Sequence, residues 1–270
     1  MPDVRARAYA EVDATQRRIL AALQVIHQGW WLGMLDSRHL DFLAGLQYPR
    51  WRQYSDDAYN ASGLKGWEAA AVADHFPKVG ALLVGAAGGG REVVALTRLG
   101  YRVDSFDCVE ALVTYSRGAL QRMGTTARVH LARPGQVPDG LDHYAGTIVG
   151  WGGYMHIPGR AHRIAFLQAL RRHVDAGAPL LVSFFTRPGP SRRLDWVWRI
   201  ARAMRWVRRS RDLVEYGDTL DGTFDHLFTR DEVEQEMAAA GYELVAYAEA
   251  PYGHAVGRAV GRQSGFAAGV

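Results

Sequence analysis

The sequence predicts an α/β fold built on an open, mostly parallel seven-stranded sheet. Three features predict it. From Val79 onward, short apolar runs alternate with helical stretches. A cluster of glycines directly follows the first run. The last two runs are joined by a turn too short for a parallel crossover, so that pair must be antiparallel.

Residues 1–48 read as helices. Val12, Ile19, Leu23, Ile26 and Trp30 recur at near-helical spacing, with Gly29 as a stop. Asp36 or Ser37 caps a second helix carrying Leu40, Leu43 and Leu46, which ends before Pro49. Residues 49–63 are an irregular, aromatic-bearing segment, and a helix over 64–76 stops at Pro77.

The strands are expected at 79–84, 101–106, 127–131, 145–151, 178–185, 242–248 and 254–260. Between them lie helices, one closed by Gly100 and another carrying Ile164, Leu167 and Leu170 on one face. Right-handed crossovers through these helices make the first five strands parallel. Thr229 and Glu232 form a T-x-x-E capping box that opens the helix ending at Gly241. Two domains follow: a helical N-terminal extension over 1–78, able to act as a lid, and a core over 79–270. The core carries a helical insertion at about 188–228 after the fifth strand.

With 48% hydrophobic and 22% charged residues among 270, the chain can bury a proper apolar core. No apolar run is long enough to span a membrane, and the N-terminus lacks a secretory leader's apolar centre. The single cysteine, Cys108, excludes an internal disulfide framework and a thiolate zinc cluster, and no metal is expected. These features place the chain in the cytoplasm.

The segment LLVGAAGGGREVVAL (82–96) carries the most chemistry. Gly85, Gly88, Gly89 and Gly90 let the backbone approach a ligand, and the helix that follows offers free N–H groups to an anionic one. Nineteen residues after Gly88, Asp107 ends the next strand, where an acid suits ribose hydroxyls. A nicotinamide fingerprint needs G-x-G-x-x-G, and no register of these glycines supplies it. The turn resembles instead the first motif of class I S-adenosylmethionine-dependent methyltransferases, G-x-G-x-G after an apolar strand, with Ala86 in place of the first glycine. The ending AAGYELVAYAEAPYGHAVGRA is similar to that family's antiparallel last strand.

The resemblance covers about 79–187 and 229–260 and implies a Rossmann-like sheet with S-adenosylmethionine as cofactor. By it, Gly85, Ala87, Gly88, Gly90, Asp107, Cys108, Gly150 and Trp151 would line the cofactor, with Asp107 on the ribose. Many relatives carry an acid for the adenine soon after the third strand; here Ala132 and Arg133 stand there, and the adenine contacts stay open.

The methyl acceptor is expected beyond the fourth strand, at GWGGYMHIPG (150–159), because ligands of open α/β sheets bind past the strands' carboxyl ends. His156 is the candidate base and Tyr154 the candidate for orienting the acceptor; His156 capping a helix is the plainer alternative. Tyr54, Tyr59 and Trp67 are candidates for the acceptor wall, or else simple anchors of the extension. Eight arginines against one acid, Asp195, lie within 192–211. On a helical wheel Trp196, Val197, Ile200, Ala203, Met204 and Val207 share one side, and Arg199, Arg202, Arg205, Arg208 and Arg209 the other.

Three functions follow. The first is methylation of O or N on a small molecule or peptide, with an acidic acceptor in view of the arginines. The second is RNA methylation through the basic helix 192–211. The third is a non-catalytic cofactor-binding protein.

Overall fold

The computed structural model describes residues 2–261, so positions 262–270 of the expected core lie outside it. Strands β1 (Ala81–Gly85), β2 (Arg102–Asp107), β3 (Arg128–Leu131), β4 (Gly146–Val149) and β5 (Pro179–Phe184) all run parallel. After a separate hairpin, β6 (Asp218–Asp221) with β7 (Thr223–His226), come β8 (Tyr242–Ala248) and β9 (Gly253–Ala259). The seven-stranded order is β3-β2-β1-β4-β5-β9-β8, and β9 alone runs against the others. The sheet thus has the expected architecture, with each strand within three residues of its expected ends.

Both faces of the sheet are covered, which explains the unbroken apolar runs in β1, β4 and β5. On one face Leu83, Val149, Leu180 and Val182 pack under α7 (Arg160–Arg171) and α9 (Arg230–Ala239). On the other, Leu82, Val84, Ile148 and Leu181 pack under α4 (Gly66–His75), α5 (Arg91–Arg98) and α6 (Glu110–Arg122). The Thr229–Glu232 capping box forms as expected.

The N-terminal extension differs from expectation at its first helix. α1 (Pro2–Met34) runs straight through Gly29. The reason is packing: a Cβ on Gly29 would stand 2.8 Å from Ile200 Cβ, and one on Gly33 2.5 Å from Met204 Cβ. Glycines here permit close approach to α8 (Arg192–Val207) rather than ending a helix. Asp36 caps α2 (Ser37–Gln47) as expected. Two short 3-10 turns, Tyr48–Arg50 and Arg52–Ser55, and the five-residue α3 (Asp57–Ala61) follow.

The insertion also differs, and in two ways. It is not wholly helical, since β6 and β7 form a hairpin turning at Gly222, φ +78°. And α8 is rotated from its expected setting: Leu194, Val197, Ala201 and Arg205 are buried, whereas Trp196 and Val207 face solvent. Arg205 causes the rotation. Its guanidinium donates to the Leu32 carbonyl at 3.2 Å and to that of Leu35, and Arg208 donates to Gly33 at 3.2 Å and to Met34. Those are the orphan carbonyls at the negative end of α1, where cations are favoured. Leu32 and Leu40 from the extension then share one core with Val197, Ala201, Val214, Leu220 and Phe224 from the insertion. Extension and insertion therefore form a single cap.

Replacing Gly33 with leucine drives a side chain into α8 and should lower the free energy of unfolding by about 1–3 kcal/mol in equilibrium urea denaturation. A Gly33→Leu protein of unchanged stability would contradict the close helix contact.

Candidate active site

The site begins where β1 runs into its turn. Ala86 and Gly88 both take φ of +52°, and Gly90 takes +102° as the residue before α5. Ala86 thus adopts the left-handed conformation usually left to glycine, at a cost of about 1–2 kcal/mol. The replacement of the motif's first glycine leaves the backbone path intact. The turn is pinned on every side: Ala87 N–H donates to Phe106 O at 3.1 Å, Gly150 N–H to Gly85 O at 2.7 Å and Gly88 N–H to Asp107 Oδ2 at 2.8 Å. A Cβ on Gly89 would fall 1.8 Å from the Tyr54 carbonyl, so the extension sits directly on the turn. Asn60 fixes that seat, donating to the carbonyls of Tyr54 (3.1 Å) and Asp56 (2.8 Å).

Asp107 is buried, and its other oxygen accepts from Val109 N–H at 2.8 Å. Burial raises its carboxyl above the usual aspartate range, against the opposing pull of the N–H groups of Val109, Gly88 and Cys108. Beside it, burial and the Asp107 charge push the Cys108 thiol up to about 12. Beneath the turn, Arg91 pairs with Glu68 at 2.6 Å and with Glu92 at 2.5 Å, and Glu92 accepts from Trp151 N–H at 3.2 Å.

Above these groups lies a cleft of about 990 Å³, counting the solvent at its mouth. Its floor is Ala86, Gly88, Asp107, Cys108 and Trp151; one side wall runs from Ala132 to Gln136. Its roof is Leu40, Asp41, Ala44, Tyr48 and Tyr54 from the extension, and the far wall is His156, Pro158, Thr223 and Phe224. Burial raises Tyr54 to about 12 and holds Tyr48 well above the usual phenol range, so both phenols stay protonated. The mostly apolar lining with a few polar groups is the usual character of a small-molecule site.

His156 is held by the hairpin that sequence reading missed. Its Nδ1 stands 2.8 Å from the Phe224 carbonyl and 3.0 Å from Asp225 Oδ1. A carbonyl only accepts, so Nδ1 carries the proton and Nε2 presents a lone pair. Tyr48 packs edge-on against the ring at 5.6 Å. The hairpin is itself stitched down, because His226 N–H donates to Met155 O at 2.9 Å.

Of the expected site residues, Gly88, Asp107, Cys108, Trp151, Tyr54 and His156 line the main cleft. Ala87 and Tyr59 line a smaller pocket on the other side of Gly88. Gly85, Gly90 and Gly150 are second to the surface: Cβ atoms there would meet Phe106, Ser116 and the Ala86 carbonyl at 2.8, 2.7 and 2.3 Å. Two expectations are corrected. Trp67 is buried in the core and stacks on His254 at 4.7 Å, so it walls no cleft. Tyr154 is fully buried, stacks on Phe228 at 5.1 Å and donates to Glu236, pointing away from the acceptor region. It joins an ionic network in which Arg163 reaches Glu236 at 2.6 Å and Glu215 at 2.8 Å. None of the arginines in 192–211 lines the cleft either; its arginine is Arg133, set against Asp41 and Asp107. An acidic acceptor therefore gains nothing from the basic helix.

Sequence reading also missed Tyr48, Asn60, Phe224 and Asp225. Tyr48 stands one residue before the aromatic-bearing segment 49–63. The Asp221–Gly222 pair between alternating apolar residues was the available signal for the hairpin. Because Tyr154 holds buried charge and no ligand, Tyr154→Phe should lower stability by about 1–3 kcal/mol by leaving Glu236 short of a donor. Ligand affinity of the folded variant should be unchanged, and a selective loss of affinity would return Tyr154 to the site.

No protein-family model matches the sequence, and neither does any curated protein. Solved structures do match. The chain is similar to a 1,6-didemethyltoxoflavin-N1-methyltransferase from Burkholderia thailandensis, crystallised with its acceptor and S-adenosylhomocysteine, with 19% identity and a TM-score of 0.58. That match covers 84% of this chain and 92% of the other. An S-adenosylmethionine-bound amino pentose methyltransferase from Micromonospora echinaspora gives 19% identity and a TM-score of 0.53, covering 74% and 94%. A sugar N-methyltransferase from a Streptoalloteichus species gives 17% and 0.53, covering 76% and 88%. At these identities what is shared is the fold. The chain has the Rossmann-like fold of S-adenosylmethionine-dependent methyltransferases.

Proposed function

We propose that this chain is an S-adenosylmethionine-dependent methyltransferase acting on oxygen or nitrogen of a small molecule. The observation that carries the reading is one continuous cleft, with Gly88 and Asp107 at one end and His156 at the other. The glycine end fits a nucleoside. A Cβ on Gly88 would have only Tyr54 Cδ1 near it, at 3.8 Å, so the turn leaves a cradle that a side chain would fill. Each Asp107 oxygen accepts one backbone N–H and keeps a further lone pair for a ribose hydroxyl. Val109, Leu112 and Ala132 give a flat base apolar walls, and Gln136 adds a polar group to the same wall.

When bound, S-adenosylmethionine supplies a methyl group on a sulfonium for in-line transfer to a nucleophile. The chain's own residues position the acceptor and take its proton. Tyr48, Phe224 and Ala44 hold a largely apolar acceptor against the floor, and the roof excludes water. His156 Nε2 accepts the acceptor's proton, and the Asp225 carboxylate 3.0 Å from Nδ1 stabilises the imidazolium that results. Asp41, Asp107 and Asp225 favour a neutral or amine-bearing acceptor over an acidic one. Neighbours named for a toxoflavin precursor and for amino sugars support a small acceptor. Residues 37–61 act as the lid.

The test is incubation with methyl-labelled S-adenosylmethionine and separate metabolite, peptide and RNA pools. Label should enter a small molecule. Label in RNA, or saturable cofactor binding with no transfer to any pool, would replace this reading with one of its alternatives. Asp107→Ala should weaken cofactor binding by about 1–3 kcal/mol, and His156→Gln should lower kcat by roughly 10²–10⁴-fold while cofactor affinity holds. An unaltered kcat in the His156 variant would remove the proton-accepting role.

A further inference from the structure

Among the described residues, the first part of α1 lies against nothing in its own chain. From Asp3 to Gln24 every residue but Asp13 is exposed. α8 runs parallel to α1 and covers only its last turns: Arg193 meets Gln28, Val197 and Ile200 meet Gly29, and Ala201 and Met204 meet Gly33. An arm of about 33 Å therefore projects past the start of α8. Along one side it carries Val4, Val12, Ile19, Leu23, Ile26 and Trp30, all between 46% and 68% exposed. Their spacing keeps them on a single face, turned from that of Val25 and Leu32, and the glycines that seat α8, Gly29 and Gly33, border it only at the helix's end. Helices in proteins are stabilised chiefly by packing of such a face, and here no described residue of the same chain supplies it.

We infer that the arm pairs antiparallel with the same arm of a second copy of this chain, about a two-fold axis beside Thr15. Two independent features give this register. In apolar terms, Val12 falls opposite the partner's Ile19, and Val4 opposite the partner's Ile26. In charge terms, Glu11 and Arg18 lie on one edge of the stripe, so Glu11 meets the partner's Arg18, twice by symmetry. A parallel pair in register would instead turn the Glu11 edge of one arm toward the opposite edge of the other, away from its Arg18. An anionic membrane surface fits less well. The arm's cations Arg5, Arg7, Arg17 and Arg18 are nearly balanced by Asp3, Glu11 and Asp13, and Arg17 is already paired with Asp13 at 2.8 Å.

Sedimentation velocity of the full chain at micromolar concentration tests the inference. The wild type should sediment as a dimer, and the Ile19→Glu/Leu23→Glu double variant as a monomer with the core's melting temperature unchanged. Thr15→Cys, on the axis, should form an interchain disulfide under oxidised glutathione, and Val4→Cys, facing the partner's Ile26, should not; wild type with Cys108 alone is the control. A monomeric wild type overturns the inference, all the more if it floats with phosphatidylserine vesicles. So does a dimer that survives both glutamates, or cross-linking at Val4 as ready as at Thr15.

Discussion

Between the ends of β1 and β2 a single carboxylate does two structural jobs. Asp107 accepts the N–H of Gly88 with one oxygen and that of Val109 with the other. The first bond holds the glycine turn in its left-handed path; the second starts the chain into α6. Because the turn is fixed, Gly89 can lie flush under the Tyr54 carbonyl and Gly150 under that of Ala86. The roof and the floor of the cleft are thus both referred to the same few backbone atoms. A carboxylate so buried is held above its usual range, and further donors arriving from a ribose would relieve it.

The other end of the cleft depends on a longer chain of contacts. α1 seats α8 through two glycines and two arginines, α8 and α2 share a core with the β6–β7 hairpin, and the hairpin grips the loop bearing His156. Arg163, Glu215 and Glu236 tie that loop to α7 and α9 from below. His156 is therefore oriented by an element inserted more than sixty residues later in the chain. The cap thus meets the loops of the sheet both at this side chain and at the glycine turn under Tyr54.

What the sequence made legible followed from local rules. Strand runs, the glycine turn, the acid after β2, the Thr229–Glu232 box and the forced antiparallel ending each rest on a few neighbouring residues, and all are found. What it hid depended on distant partners. Gly29 reads as a stop unless Ile200 is known to press against it. The arginines of α8 read as a polar face until Arg205 is seen to cap α1. Tyr154 and Trp67 have the right chemistry for a pocket, and only the fold shows that they are spent on Glu236 and His254. Asp225 is hidden for a different reason: its hairpin lies inside the stretch that reads as a helical insertion, despite the Asp221–Gly222 turn.

The claim at the centre of this account is that the cleft over Gly88 and Asp107 receives an adenosyl cofactor. Titration calorimetry of the wild-type chain with S-adenosylhomocysteine, alongside Gly88→Val, tests it most directly. Saturable binding is expected at one site per chain, abolished when a valine side chain occupies the cradle. Absence of binding to the wild type, or equal binding to both proteins, would contradict it.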